Sequence, residues 1–383
     1  MHVAVLGAGA FGGWTALHLL RRGARVTLLD AWGPGNSRSS SGGETRIIRG
    51  VYGPDRIYVD WTARAFGMWQ EAERRWGRRL LHQTGALWMM GEDESYVRDS
   101  LPFLADAGLP VSEIPLEEAR SRFPQIDFHG VRSVFLEEKA GYLLARRACQ
   151  AVAEAVAAEG GEVRIGAAVP GPPTEGGLRL VDGSTLQADL YVFACGPWLG
   201  EMFPEVIGDR LLRPTRQEIF FFGLPPGDPW FHEERCPVWL DLTGERIFYG
   251  IPGNENRGFK VADDTPGPPF DPTDGPRDVT PAGVEAVRAF LARRFPALAG
   301  APLLGSEVCQ YEASPDSHFI IDRHPAADNV WIAGGGSGHG FKMGPAIGER
   351  VASHVLSGSP PDPQFALARL AATPPGGWEH KWS

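Results

Sequence analysis

The stretch Val3-Ala-Val-Leu-Gly-Ala-Gly-Ala-Phe-Gly12 lies near the start of the chain, and Leu28-Leu-Asp30 follows one helix length later. This pattern predicts a buried strand, a glycine turn, a helix over residues 10–22, and a second strand that ends in an acid. Gly7 permits the tight turn, Gly9 lets the backbone approach a pyrophosphate, and Gly12 lets helix and strand pack closely. The helix N-terminus would face the phosphates, and Asp30 a ribose hydroxyl. The unit therefore predicts a site for FAD or NAD.

The bulk composition limits the classes of partner. The chain has 383 residues, which suits two domains, and 43% of them are hydrophobic. A formal net charge of −10 argues against nucleic acid and anionic membrane surfaces. Since no apolar run approaches the roughly 20 residues that span a bilayer, we expect no membrane segment. The first strand begins at the N-terminus, so we expect no signal peptide and a cytoplasmic location.

The cysteines and histidines give no sign of a metal site. The four cysteines, Cys149, Cys195, Cys236 and Cys309, are scattered and form no CxxC pair. The ten histidines show neither an HExxH motif nor clustered ligand spacing. We therefore expect neither a disulfide framework nor a bound metal.

The order of predicted elements indicates an inserted second part. Helices are predicted over 58–76, 96–107, 143–158 and 284–295, and a further helix begins near residue 343. The region 217–250 is β-rich and aromatic, which is typical of an antiparallel sheet. A buried strand that enters a glycine turn recurs at 188–198 and again at 329–336. Because strand–turn–helix elements of the nucleotide-binding type lie at both ends, the intervening part looks inserted rather than appended.

Two polar segments are candidates for binding an anion. Gly43-Glu-Thr-Arg-Ile-Ile-Arg49 places two arginines three residues apart, and guanidinium forks suit carboxylates. The alternative for this pair is surface salt bridging. Ser337-Gly-His-Gly-Phe-Lys342 joins a buried strand to a helix start, so its backbone amides and Lys342 would attract an anion. The alternative here is a simple connection with a solvated lysine.

The chain resembles a known family through these segments and two further ones. Gly43–Arg49, Cys309-x-Tyr311, Ser314-Pro-Asp-x-x-Phe-Ile-Ile-Asp322 and Ser337–Lys342 are similar to the monomeric sarcosine oxidase and N-methyl-tryptophan oxidase family. These are FAD oxidoreductases of the D-amino-acid-oxidase type, and the similarity runs from residue 1 to about 357.

The resemblance implies an α/β (α+β) fold. A Rossmann-type FAD-binding domain would hold an inserted substrate domain built on an antiparallel β-sheet. We expect the discontinuous FAD-binding domain to comprise residues 1–84, 141–212 and 317–372. The substrate domain would comprise 85–140 and 213–316, and 373–383 a tail.

The resemblance also implies the roles of individual residues. Cys309 matches a cysteine that bonds FAD covalently through a thioether, Arg49 and Lys342 match a clamp for the substrate carboxylate, and Lys260 matches a lysine that promotes reaction with oxygen. Arg46, Tyr249, Tyr311 and His339 match other catalytic positions. The implied cofactor site comprises Gly7, Gly9, Ala10, Phe11, Gly12, Asp30, Ser40, Ser41, Thr45, Arg46, Val169, Ala194, Gly196, Trp198, Cys309, Gly336, Gly338, His339, Gly340, Phe341 and Lys342.

The chain departs from the family pattern at two places. Ser41 and Gly42 stand where the family often has two histidines. Asp264 aligns with an active-site histidine four residues beyond the lysine that promotes the oxygen reaction. A carboxylate that faces the substrate amine would change the charge of the pocket and the choice of substrate.

The implied function is oxidation of N-methyl amino acids such as sarcosine. O2 would accept the electrons as H2O2, and the imine product would hydrolyse to an aldehyde and an amino acid. We expect a monomer that acts on small molecules. Within the class, bulkier N-alkyl, glycated or cyclic imino acids are alternative substrates. A nicotinamide-dependent dehydrogenase, or a flavoprotein that passes electrons to a partner, is the alternative from another class.

Overall fold

A computed structural model describes residues 1–371. The strands are β1 (His2–Leu6), β2 (Arg25–Asp30), β3 (Thr45–Ile48), β4 (Leu81–His82), β5 (Ala86–Met90), β6 (Val111–Ile114), β7 (Ser133–Glu137), β8 (Gly141–Leu144), β9 (Glu162–Ile165), β10 (Leu178–Arg179), β11 (Thr185–Leu186), β12 (Leu190–Phe193), β13 (Arg213–Phe222), β14 (Val238–Leu242), β15 (Phe248–Ile251), β16 (Phe259–Asp263), β17 (Leu303–Ala313), β18 (Ile320–His324) and β19 (Ala327–Gly334).

The α-helices are α1 (Ala10–Arg21), α2 (Arg56–Trp76), α3 (Ser95–Arg98), α4 (Leu101–Asp106), α5 (Leu116–Arg122), α6 (Ala145–Ala158), α7 (Leu199–Met202), α8 (Gly208–Leu211), α9 (Pro281–Arg294) and α10 (Gly344–Ser357). None of the helices within residues 1–371 is long and apolar enough to cross a membrane.

A six-stranded sheet holds the glycine-rich turn. Its order is β18-β19-β12-β1-β2-β9, and every pair from β19 to β9 is parallel, with β18 antiparallel at one edge. The apolar strands β1 and β12 are buried, as central parallel strands require. Helix α1 packs between α6 and α10. The mixed α/β fold class predicted from the sequence is confirmed.

The second large sheet has eight strands in the order β17-β13-β16-β15-β14-β5-β7-β6. The predicted antiparallel pairing holds throughout except between β14 and β5, which are parallel. Its core is aromatic, since the Trp239 ring stacks on both Phe259 and Phe290. The strands of this sheet come from residues 86–137 and 213–313.

Two predicted helices differ from the structure. The helix expected over 96–107 is divided into α3 and α4, because Pro102 lies in the first turn of α4 and has no N–H to continue the α3 ladder. The helix expected from residue 143 begins at Ala145 instead. Residues 141–144 form β8, which pairs with β3 so that Arg46 lies opposite Leu143.

The domain boundaries given above remain a prediction. Residue 372, the last of the predicted FAD-binding segments, and the predicted tail at 373–383 lie outside the described residues.

Candidate active site

A cavity lies at the carboxyl edge of the six-stranded sheet, where open α/β sheets bind their ligands. Leu6, Asp30 and Gly334, at the ends of β1, β2 and β19, line it. The predicted site residues in its lining are Gly7, Gly9, Ala10, Phe11, Asp30, Ser40, Ser41, Arg46, Ala194, Gly196, Trp198, Tyr311, Gly336, Gly338, His339, Gly340 and Phe341. The lining does not include Gly12, Thr45, Arg49, Val169, Tyr249, Lys260, Cys309 and Lys342.

One end of the cavity is built by the glycine turn. Gly7 has a φ of 101°, and a Cβ on Gly12 would lie 1.9 Å from Gly7 O, so both positions exclude a side chain. The Ala8 N–H donates to Asp30 Oδ2 over 2.7 Å, which holds the turn against the acid at the end of β2. Burial raises the pKa of Asp30, although three backbone amides oppose this.

Neighbouring segments extend the wall at this end of the cavity. The Trp198 and Trp32 ring centroids lie 4.9 Å apart, and both side chains line the cavity. Val169 donates its backbone N–H to Arg179 O over 2.9 Å. Its neighbours Ala168 and Pro170 line the cavity, so Val169 lies directly behind the wall.

The structure explains why no histidines occupy positions 41 and 42. Ser41 Oγ accepts the N–H of Ala10, the first residue of α1, over 3.2 Å. A Cβ on Gly42 would lie 1.8 Å from Asn36 O, which leaves no room for any side chain. The serine–glycine pair therefore fits a loop that folds tightly against the helix N-terminus.

Arg46 lines the other end of the cavity, and Cys309 lies beside it. Arg46 Nη2 is 3.1 Å from Cys309 Sγ and donates to Ser40 O over 2.6 Å, while Nη1 donates to Thr45 O over 2.9 Å. The guanidinium is therefore fixed beside the thiol by two backbone carbonyls.

Lys260 reaches the same carbonyl from the second sheet. Its Nζ donates to Thr45 O over 2.9 Å and lies 5.6 Å from the centroid of the Tyr249 ring. Burial, reinforced by the charge of Arg46, lowers the pKa of Lys260 to about 7. Lys260 thus titrates near neutral pH beside the predicted catalytic tyrosine and arginine.

Arg49 is buried, with 3% of its surface exposed, in an aromatic box. Its guanidinium carbon lies 4.6, 5.2 and 5.8 Å from the centroids of Tyr52, Trp88 and Tyr96. The buried Glu137 accepts the N–H of Gly50, the next residue along. This carboxylate, whose pKa burial raises, fixes the backbone that carries Arg49.

Lys342 approaches the same tyrosine from the 3-10 turn (Phe341–Met343) that precedes α10. Its Nζ donates to Tyr52 Oη over 2.7 Å and to His339 O over 2.8 Å. His339 Nε2 lies 2.9 Å from Ser317 O, and because a carbonyl only accepts, Nε2 carries the proton. The Nδ1 atom lies 3.3 Å from Tyr52 Oη.

Asp264 is connected to the cavity through Tyr311. The Tyr311 hydroxyl donates to Asp264 Oδ1 over 2.6 Å, and Asp264 is 3% exposed. Burial and this carboxylate raise the pKa of Tyr311, so the phenol stays protonated. The aspartate thus lies one hydroxyl away from the cavity.

The residues present fit FAD. The glycine turn and the N-terminus of α1 offer a cradle for a diphosphate, and Asp30 lies where it can bind a ribose. Gln310 Oε1, in the cavity lining, and Thr45 Oγ1 are buried and have no hydrogen-bond partner among the described residues. Such polar atoms are costly unless a ligand satisfies them. Within residues 1–371 no group of three or more His, Cys, Asp and Glu residues is placed to hold a metal.

The sequence analysis did not identify several residues of this site. Tyr52, Trp88 and Tyr96 surround the predicted arginine, and Glu312 and Gln310 line the cavity. Gln310 and Glu312 could have been identified from the sequence because they flank Tyr311, which the resemblance already assigned to the site.

Comparison with known proteins agrees with this geometry. A family model described as DAO, FAD dependent oxidoreductase, matches residues 2–354. Monomeric sarcosine oxidase of Streptomyces avermitilis is 33% identical over 97% of this chain and 98% of that protein. N-methyl-L-tryptophan oxidase of Yersinia pestis is 26% identical over 96% of this chain and 98% of that protein. The crystal structure of L-proline dehydrogenase from P. horikoshii covers 96% of this chain and 97% of that chain, with a TM-score of 0.82 and 22% identity.

Proposed function

The chain belongs to the DAO family of FAD-dependent oxidoreductases, and from this premise we propose that it oxidises N-methyl amino acids such as sarcosine with O2. The substrate loses two electrons and two protons across its carbon–nitrogen bond, and O2 takes them up as H2O2. Water then hydrolyses the imine to an aldehyde and an amino acid.

The observation that carries this proposal is the pair of buried cations around Tyr52. The Arg49 guanidinium carbon lies 4.6 Å and Lys342 Nζ 5.1 Å from the centroid of this one ring. Hydrogen bonds hold both cations in place: Arg49 Nη1 donates to Val51 O, and Lys342 Nζ donates to Tyr52 Oη and His339 O. A substrate carboxylate would bind both charges and hold the neighbouring carbon–nitrogen bond in a fixed place.

FAD, when bound, supplies the redox chemistry by accepting the electrons of the carbon–nitrogen bond and passing them on to oxygen. The protein contributes positive charge at the end of the cavity where Arg46 lies. Lys260, in its ammonium form, would stabilise the negative charge that develops on O2, and Arg46 would add a permanent charge beside it. His339 would orient the substrate together with Tyr249 and Tyr311, whose raised pKa values keep the two phenols protonated.

Asp264 indicates where the amine nitrogen of the substrate binds. A carboxylate that lies behind the Tyr311 hydroxyl favours a positively charged partner on the cavity side. We therefore infer that the amine nitrogen of the substrate binds at this end, opposite the carboxylate clamp. Bulkier N-alkyl, glycated and cyclic amino acids share the same two functional groups and remain the alternative substrates.

We also propose that the cofactor is held by a thioether to Cys309. The Sγ atom lies 3.1 Å from Nη2 of Arg46, a residue that lines the cavity. Such a thioether would replace the thiol hydrogen and one hydrogen of the cofactor carbon, a two-electron oxidation for which O2 would be the acceptor, giving H2O2. We further propose that the protein is a monomer and that it is located in the cytoplasm.

Oxygen uptake with four substrates in parallel tests this function: sarcosine, N-methyl-tryptophan, pipecolate and a fructosyl amino acid. Fastest peroxide production with sarcosine is the expected result. A faster bulky or cyclic substrate would reassign the substrate class while the oxidase activity stands. Bound flavin without oxygen uptake would point to another electron acceptor, and a protein without flavin would favour a nicotinamide cofactor.

A further inference from the structure

Glu312 is a buried acid of the cavity that none of the roles above uses. It is 9% exposed, lies near the end of β17 directly after Tyr311, and lines the cavity. Carboxylates are seldom buried without a strong interaction that compensates the lost hydration. We therefore expect the Glu312 carboxyl group to hydrogen-bond with a ligand in the cavity.

Two neighbours fix the Glu312 carboxyl group. The Ser40 hydroxyl donates to Oε2 over 2.8 Å, and the Gly336 N–H is 3.3 Å from Oε1. A Cβ on Gly336 would lie 2.8 Å from Oε1, so the absence of a side chain there makes room for the acid. Each carboxylate oxygen has two lone pairs, and these contacts occupy one on each. The group can therefore still bind a donor from the cavity.

Glu312 lies between the two ends of the cavity. Its partner Ser40 accepts from Arg46, which belongs to the redox end with Cys309. The next residue, Ser41, accepts from Ala10 at the N-terminus of α1, which belongs to the diphosphate end. The loop that contains Ser40 and Ser41 thus connects the redox end of the cavity to the diphosphate end, and Glu312 contacts this loop at Ser40.

We propose that the carboxyl group of Glu312 binds a hydroxyl of the ribityl chain of FAD and thereby positions the redox-active ring. The ribityl chain is the part of FAD that joins the ring to the diphosphate. A carboxylate repels a diphosphate, whereas it accepts strong hydrogen bonds from hydroxyl groups. This inference rests on the cofactor being FAD and is independent of which amine is oxidised.

The ionisation of the group agrees with this assignment. Burial raises the pKa of Glu312 to about 7, while the Ser40 hydroxyl and the Gly336 amide oppose the shift. The anion accepts from a hydroxyl and the neutral acid donates to one, so either form can bind a polyol. A fixed diphosphate would be tolerated by the neutral form alone.

The test measures how tightly the protein binds FAD and three analogues that lack the 2′, 3′ or 4′ hydroxyl of the ribityl chain. The measurement uses the Cys309→Ser protein, in which the cofactor exchanges, and follows quenching of flavin fluorescence. With Glu312 present, one analogue should bind about 10- to 100-fold more weakly than FAD. With Glu312→Ala added, FAD itself should lose this factor, and the same analogue should bind as FAD does.

Several outcomes would overturn the assignment. If all three analogues bind as tightly as FAD while Glu312 is intact, Glu312 makes no ribityl contact. The same conclusion follows if Glu312→Ala still binds FAD more tightly than the analogue to the same degree. Tighter FAD binding after Glu312→Gln, with discrimination unchanged, would place the acid beside the diphosphate.

Two further variants keep the test decisive. If Glu312→Ala does not fold, Glu312→Gln decides when binding is measured above the pKa of Glu312, where the wild-type group is the anion. A neutral amide accepts more weakly than a carboxylate, so discrimination must shrink. Glu201→Gln is the matched control, since Glu201 also lines the cavity and should leave discrimination intact. No amine is present in these measurements, so a wrong substrate assignment cannot affect them.

Discussion

Lys342 Nζ donates a 2.7 Å hydrogen bond to the hydroxyl of Tyr52, whose ring also faces the Arg49 guanidinium at 4.6 Å. The tyrosine thus contacts both cations that we assign to the substrate carboxylate. Its ring faces the Arg49 guanidinium, and its hydroxyl accepts a hydrogen bond from Lys342. This explains how two buried cations are kept at one place before a carboxylate binds.

Replacing Tyr52 with phenylalanine tests this arrangement. The ring remains for Arg49, but Lys342 loses a fixed acceptor, so the ammonium group is less well placed for the substrate. We expect kcat/KM for the preferred amino acid to fall about 10-fold, mostly through KM. Tyr58→Phe is the matched control, because the Tyr58 hydroxyl contacts His318 rather than a cation. Equal losses in the two variants would contradict the role of Tyr52.

Lys260→Met should separate the two halves of the catalytic cycle. Loss of the ammonium charge should slow reoxidation by O2 about 100-fold or more and leave anaerobic reduction by substrate nearly unchanged. Stopped-flow spectroscopy measures both. Since the pKa of Lys260 is lowered to about 7, the ammonium form is lost as pH rises. The wild-type reoxidation rate should therefore fall through that pH, and the variant should show no such step. Equal losses in both half-reactions would refute the role.

The sequence predicted the parts of this molecule that depend on local geometry. The spacing of Gly7, Gly9 and Gly12 predicted a strand, a turn and a helix, because those contacts lie within one short segment. The prediction of one continuous helix over 96–107 was wrong, because Pro102 in the middle of this segment outweighed the apolar periodicity. Strand β8 was missed because its pairing with β3 is not visible in the sequence around residue 141.

The candidate site depended on contacts distant in sequence. Arg46 and Cys309 are 263 positions apart in the sequence, so only the family resemblance could place them together. Tyr52 and Glu312 were missed for the same reason, because their roles arise from neighbours on other elements. The roles assigned to these side chains, and the domain boundaries, remain predictions.

Asp264→Asn should change the pH dependence of turnover. The negative charge of Asp264, transmitted through the Tyr311 hydroxyl, favours the protonated form of a bound amine and raises the pKa of that amine. The reaction requires the unprotonated amine, so removing the charge should move the rising limb of kcat about one unit toward lower pH. Sarcosine turnover measured from pH 6 to 10 gives the profile. An unchanged limb would mean that Asp264 does not face the amine.

Cys309→Ser should release the flavin. If Cys309 carries the thioether, acid precipitation of the wild-type protein leaves the yellow colour in the pellet, and the variant leaves it in the supernatant. Cys195→Ser is the matched control, because Cys195 lines the cavity, and burial raises the pKa of that thiol to about 12, so it has little thiolate to react. The control should keep its flavin in the pellet. Flavin that stays attached in Cys309→Ser would rule out the linkage, and flavin released from the wild-type protein would show that the cofactor is held by noncovalent contacts alone.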